Sequence, residues 1–273
     1  MIRHLTTFAL LYLLSGTFAA RLSAAPPDGV FGPAACEGAY DGHLQGVCTN
    51  DKDAIFWSFT VALVKTDRDG KILKRIPVVT HHGDLCYVDG KVYVAVNLGK
   101  FNDPQGNADS WVYVYRAEDL SEIARHKTPE LFHGAGGIAY HNGRFVVVGG
   151  LPESVNENYV YEYDPDFKFI KRHVIASGHT EKGIQTAAYA DGFWWFGCYG
   201  EPKELLKTDE SFHMVGKYVF DCALGIAPLA DKSFLIGYHK AIQENGKKVH
   251  MGGVAVADAD AQKGLIIRNE SSQ

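Results

Sequence analysis

Residues 84–96 read DLCYVDGKVYVAV, residues 137–149 read GIAYHNGRFVVVG, and residues 186–197 read TAAYADGFWWFG. Each stretch is an apolar run, an Asp-Gly or Asn-Gly pair, and a second apolar run. Both central residues of such a turn take positive φ, which Asp, Asn and Gly tolerate, so each stretch predicts a tight β-hairpin. Two weaker copies flank these three, at residues 46–57 with Asp51-Lys52 at the turn and at residues 226–237 with Asp231-Lys232. Each hairpin is followed by a second strand pair, as in ALVKTDRDGKILKRI (62–76) and YVYEYDPDFKFIKRH (159–173). Four strands repeating about every 45 residues are the sequence pattern of a propeller blade. The chain therefore predicts an all-β fold, a five-bladed β-propeller with four antiparallel strands per blade. The expected blades are 43–80, 81–131, 132–179, 180–222 and 223–268.

The N-terminus belongs to a different class of sequence. Arg3 and His4 precede a short apolar stretch, residues 5–19, followed by Ala19-Ala20 and Ala24-Ala25. This pattern predicts a secretory signal over 1–25, too short for a spanning helix, with an uncleaved anchor as the competing reading. Residues 26–42, rich in Gly, Pro and Ala, read as an N-terminal arm over the first blade, and 43–273 as the propeller domain. The expectation is a secreted or periplasmic monomer with no membrane span after signal cleavage. The net charge of −5 is mild and the cations are scattered, so the basic stripe that nucleic acid requires is missing.

The chain has five cysteines, an odd number whose spacing sets no disulfide framework. Cys48 and Cys86 share a position in the innermost strands of blades 1 and 2, and Cys198 reads as a small buried hydrophobe. Cys36 and Cys222 precede blades 1 and 5, which meet when the ring closes, so a bridge between them could staple the closure.

Propeller topology also chooses a face for chemistry. The loop entering the inner strand A and the loop between strands B and C share one face; the A–B turns lie on the other. Here the A–B turns are minimal, while the B–C segments 97–110, 149–158 and 238–252 are long and polar. Insertions confined to one face mark a binding face. The residues entering strand A agree: His43 and Gln45, His81, His82 and Asp84, His133, and Gln185. Asn97, Tyr199 and His239 fall at or just past the ends of B strands, and His250 lies in the last B–C segment. Imidazole with carboxylate suits acid–base work near neutral pH or a divalent metal ion. His81, His82, Asp84 and His133 are thus the catalytic candidates. The same four with His43 are the metal candidates, although no H-x-x-x-H pair supports them. The competing reading is structural, since a residue at the start of A can hydrogen-bond the neighbouring blade.

Other motifs read as structure. Residues 193–196, FWWF, alternate between blade faces as inter-blade core. Asn102, Asp103, Asn107 and Asp109 lack the spacing of a calcium loop and read as a solvated loop. Asp67-Arg68-Asp69-Gly70 recurs in other blades and reads as a C–D turn. Asn269 matches a glycosylation acceptor at the extreme end.

The blade grammar is an apolar A strand, an Asp-Gly turn, an aromatic B strand and a V-Y-x-Y-D type C strand. It resembles that of secreted bacterial propellers of the glutamine-cyclotransferase-like and SMP-30/NHL-like groups. The blade count resembles instead the small-ring group: olfactomedin-type domains, calcium-activated nucleotidases, tachylectin-like lectins and five-bladed glycosidases. That second resemblance implies a metal or three carboxylates in the channel, whereas this chain offers one clear channel carboxylate, Asp84. Sialidase Asp-boxes and WD endings are absent. Three functions remain open. The first is binding of a small polar ligand, a sugar or phosphorylated compound, with or without a divalent metal. The second is a hydrolase or lyase using the same His/Asp cluster. The third is a non-catalytic propeller that binds a glycan or protein through its long loops.

Overall fold

The computed structural model describes residues 31–268, so the expected signal and Asn269 lie outside the described residues. Among the described residues there is no helix, and strands β2 to β21 form five blades. Blade 1 comprises β2 (Leu44–Thr49), β3 (Ala54–Phe59), β4 (Ala62–Asp67) and β5 (Ile72–Pro77). Blade 2 comprises β6 (His82–Val88), β7 (Lys91–Asn97), β8 (Ser110–Arg116) and β9 (Glu122–Lys127). Blade 3 comprises β10 (Ala135–His141), β11 (Arg144–Gly149), β12 (Asn158–Tyr163) and β13 (Phe169–Ile175). Blade 4 comprises β14 (Ile184–Ala190), β15 (Phe193–Cys198), β16 (Glu204–Thr208) and β17 (Met214–Val219). Blade 5 comprises β18 (Ile226–Pro228), β19 (Phe234–Glu244), β20 (Lys247–Asp260) and β21 (Gly264–Ile267). Within each blade the strands pair antiparallel in chain order.

The three strong turns have the expected backbone. Asp89 and Gly90 have φ of 45° and 76°, Asn142 and Gly143 48° and 74°, Asp191 and Gly192 51° and 83°. The weaker copies are wider turns. Asn50 Oδ1 accepts the amides of Lys52, Asp53 and Ala54, and Asp231 Oδ1 accepts that of Ser233. The C–D turns also repeat one device. The Oδ1 atoms of Asp67, Asp164 and Asp209 each accept two amides, two and four residues on.

Five buried clusters fill the spaces between neighbouring blades. Side chains alternate along a strand, so Trp194 and Phe196 join the blade 3–4 cluster while Trp195 joins the blade 4–5 cluster. The ring closes at blade 5. There β20 pairs with β21 at Ala257–Asp260. Farther along, its same edge pairs with β1 (Ala34–Ala35) in the N-terminal arm. Tyr40 extends that contact by exchanging backbone bonds with His250. Phe31, Cys36 and Tyr40 sink into the blade 5–1 cluster, where Tyr40 stacks on Phe59 with ring centroids 3.7 Å apart. The arm is therefore a strand of the last blade as well as a cover on the first.

Two expectations are corrected. Cys36 and Cys222 lie in different inter-blade clusters, and Cys36 Sγ sits 3.3 Å from Tyr40 Oη, so no bridge staples the seam. All five cysteines are free. Residues 238–252 are not a loop. β19 and β20 stay paired from Tyr238↔Gly253 out to Glu244↔Lys247, making a hairpin that stands above the face.

Candidate functional site

The A strands of blades 1 to 4 share an irregularity. Their register against strand B shifts between Leu44 and Gly46, His82 and Leu85, Ala135 and Gly137, and Ile184 and Thr186. The residues spanned by these bulges are Gln45, Gly83 with Asp84, Gly136 and Gln185. A bulge re-aims a side chain, and Gln45, Gly83, Gly136 and Gln185 all line one cavity of about 650 Å³. Its size lies in the roughly 300–1,000 Å³ range of small-molecule sites. At Gly83 an added Cβ would meet Gly136 O at 2.4 Å, so glycine lets the inner strands approach there.

Seven of the sequence-predicted residues line this cavity: His43, Gln45, His81, Asn97, Gln185, Tyr199 and His239. They arrive from the loops entering A, from the bulges and from the ends of B strands. Gln45 Nε2 lies 3.2 Å from His43 Nε2 and 2.7 Å from His81 Nε2, joining the two rings. Asn97 is half committed to structure, since Nδ2 donates to Gly99 O and Oδ1 accepts the Asp109 amide. Burial, then His43, pushes the His81 imidazole below its ordinary pKa. Burial, then His43 and His250, pushes His239 down to about 4. Both rings are neutral at pH 7.

Three predicted residues are elsewhere. His82 is fully buried, with Nδ1 2.7 Å from Val79 O and Nε2 2.7 Å from Tyr115 Oη. It is an inter-strand strut, and burial lowers its pKa to about 4. Asp84 is fully buried in the channel below the cavity. Its Oδ2 accepts the Ala187 amide of blade 4 at 3.2 Å, while Oδ1 has no partner. Burial holds its carboxyl far above the usual carboxylate range, so it stays protonated. His133 packs its ring edge against Phe132, with Nδ1 3.2 Å from Asp103 O in the blade 2 loop. The five metal candidates are thus split among cavity, core, channel and loop. Among the described residues no group of three or more His, Cys, Asp or Glu is placed to hold a metal ion. Of the catalytic candidates, His81 alone reaches the cavity.

The cavity also holds residues the sequence reading passed over. Glu181, Lys182, Lys203, Asp221, Phe101 and Tyr238 line it. Lys182 Nζ and Lys203 Nζ sit 5.7 and 5.3 Å from the Tyr199 ring centroid. Burial, then Asp221 and Glu181, raises the Tyr199 phenol to about 12, so it stays a hydrogen-bond donor. The missed signal was topological. Residues 181–182 and 221 enter strand A, and 199–203 is a B–C loop, so the rule that selected the histidines also covers these residues. The cavity therefore has an imidazole and amide wall on blades 1, 2 and 5 and a charged wall on blade 4 and its link to blade 5.

No family model matches this chain, and no curated protein matches it. Solved structures do. The Bacteroides ovatus protein named Xyloglucan PUL GH43B aligns with a TM-score of 0.56 at 10% identity, covering 85% of this chain and 55% of that one. A protein of unknown function from Bacteroides caccae aligns with a TM-score of 0.44 at 13% identity, covering 85% and 79%. The computationally designed Ika4 protein aligns with a TM-score of 0.39 at 13% identity, covering 64% and 94%. With the B. ovatus protein, of which it spans little more than half, this chain shares the propeller fold.

Proposed function

We propose that this propeller is exported and binds a small polar ligand, a sugar or phosphorylated compound, in the cavity where the A strands begin. The observation that carries this reading is the convergence of His43, Gln45, His81, Gln185 and His239 on one cavity. Such groups offer many neutral donors and acceptors at fixed positions, which is what a hydroxyl-bearing ligand demands. The rims of Tyr199, Phe101 and Tyr238 add apolar faces for a sugar ring. A second reading, acid–base catalysis on the bound ligand, is favoured by the two carboxylates Glu181 and Asp221 on the same cavity. The test is calorimetric titration with neutral sugars, uronates and sugar phosphates, on the native protein and on Gln185→Ala. Binding that weakens at least tenfold in the variant, with an unchanged melting temperature, supports the assignment. Binding that survives unchanged removes the ligand from this cavity. Export is tested separately, by finding a mature N-terminus between Arg21 and Pro27.

A further inference from the structure

The imidazole wall of the cavity is part of a larger cluster of four imidazoles. His43 has ring centroids of His239, His250 and His81 at 5.5, 6.1 and 6.4 Å, and His239 and His250 are 4.8 Å apart. The cluster joins blade 1, the entry to blade 2 and the projecting β19–β20 hairpin. His43, His81 and His239 face the cavity, and His250 backs them.

Its hydrogen bonding is incomplete in an informative way. His43 Nδ1 donates to Leu44 O at 2.8 Å, which leaves its Nε2 as an acceptor towards Gln45. The same Gln45 Nε2 faces His81 Nε2 and Thr60 Oγ1, three acceptors for two amide hydrogens. Nδ1 of His239 and Nδ1 of His250 are buried with no partner. Elsewhere three histidines pair with acids, His141 with Glu210, His173 with Glu162 and His213 with Asp209, while His82, His133 and His179 bond backbone carbonyls. None of the four clustered rings has such a partner among the described residues. The charges facing them are Lys248, towards His239 and His250, and Asp221, towards His239. Asp41 at the hairpin is held by Lys247 at 2.8 Å. Among the described residues the cluster is a set of proton acceptors with no carboxylate in contact to serve as counter-anion.

We infer that the ligand supplies that counter-anion: an oxyanion group, carboxylate or phosphate, sits on the His43–His81–His239 wall and binds together with a proton. This rests on the ligand-binding reading above and specifies the chemistry of one end of the ligand. An anion beside an imidazole favours its charged form. The reciprocal must hold, so each proton taken up tightens anion binding as pH falls. Gln45 makes the change possible within the site. When His43 or His81 gains a proton at Nε2, the amide turns over and offers its carbonyl oxygen to the new N–H.

The experiment is calorimetric titration of the native protein with glucose, glucuronate, glucose 6-phosphate and inorganic phosphate. It is run from pH 7.5 to 5 in buffers of different ionisation heat, so that protons taken up are counted. The expected result is proton uptake with the anionic probes and affinity rising by up to about tenfold per pH unit for one proton, with glucose flat. Whether glucuronate or glucose 6-phosphate shows the effect distinguishes carboxylate from phosphate. In H239Q or H43Q the pH slope of anion affinity should fall, and the number of protons taken up with it. Because proton counting uses the native protein, a variant that fails to fold leaves the test intact. Glucose binding equal to the anions without proton uptake overturns the inference and keeps the ligand-binding reading. No binding by any probe overturns both.

Discussion

The two mouths of the central channel are built from the same five strands and have opposite character. At the mouth where the A strands begin, bulges and entering loops set glutamines, histidines, lysines and carboxylates around about 650 Å³. At the other mouth the cavity is about 250 Å³, ringed by Tyr87, Tyr140 and Tyr189 over Cys48, Cys86 and Ala139. The three tyrosines hold one register position in successive blades, two residues before the turn pairs Asp89-Gly90, Asn142-Gly143 and Asp191-Gly192. A two-residue turn spends its chain on closing the hairpin and has nothing left to vary. The strand starts carry no such restriction. Tight turns therefore make blades 2 to 4 uniform at one mouth, and free entries make the other specific to this protein.

The largest expected effect separates adjacent residues that belong to different sides of this division. His82→Ala removes the partner of Tyr115 Oη and Val79 O in a buried site and should cost about 3 kcal/mol. His81→Ala, at the cavity wall, should cost under about 1 kcal/mol by the same denaturant titration. Equal costs would mean that the cavity wall is as structural as the strut.

Next in size is the acid response of that strut. The folded pKa of His82, about 4, is below its ordinary 6.5, so the unfolded chain binds more protons in between. Its stabilising contribution is therefore full above about pH 6.5 and is lost as pH falls towards 4, amounting to about 3 kcal/mol. Unfolding free energies measured at pH 7.5, 6, 5 and 4 should fall across that window, and His82→Gln should flatten the curve. A curve unchanged in the variant places the acid sensitivity elsewhere.

Ligand affinity comes third. His81→Ala at the large mouth should weaken binding about tenfold, about 1.4 kcal/mol, while Tyr140→Phe at the small mouth leaves it unchanged. If the tyrosine variant is the one that loses ligand, the two mouths have been assigned the wrong way round.

The same division explains what could be read from the chain. The hairpins were legible because Asp-Gly and Asn-Gly constrain backbone locally, without reference to anything distant. Which histidine of His81-His82 faces the cavity depends on the bulge after His82 and on Tyr115 standing thirty-three residues away; no local pattern carries that. The cavity's face was legible from topology, and seven named residues reach it. Glu181, Lys203 and Asp221 were missed because attention followed residue type, and lysines or acids in a loop look the same whether or not they face a cavity. Residues 238–252 read as a loop because they are polar. They are strands nonetheless, because most of the hairpin is open to water, with Val249 and Gly252 buried, and so needs no apolar alternation.

Asp84 lies between the two mouths and yields the smallest effect near pH 4. An added Cβ on Gly46 would lie 2.4 Å from its Oδ1, so blade 1 presses against a carboxyl that also bonds Ala187 on blade 4. The group meets blades 1 and 4 across the channel and is protonated because burial outweighs the backbone amides of Ala187 and Leu85 that favour its ionised form. Its folded pKa is raised above 3.8, so its contribution is full below that value and is lost as pH rises towards the folded pKa. Asp84→Asn keeps an oxygen for the Ala187 amide and cannot ionise. The variant should match the native protein within about 1 kcal/mol near pH 4 and gain on it steadily at higher pH. Thermal unfolding of both proteins from pH 4 to 9 measures the gap. Curves that stay parallel from pH 4 to 9 would mean that Asp84 is ionised in the folded protein, with a cation or an ordered water chain in the channel linking the two mouths.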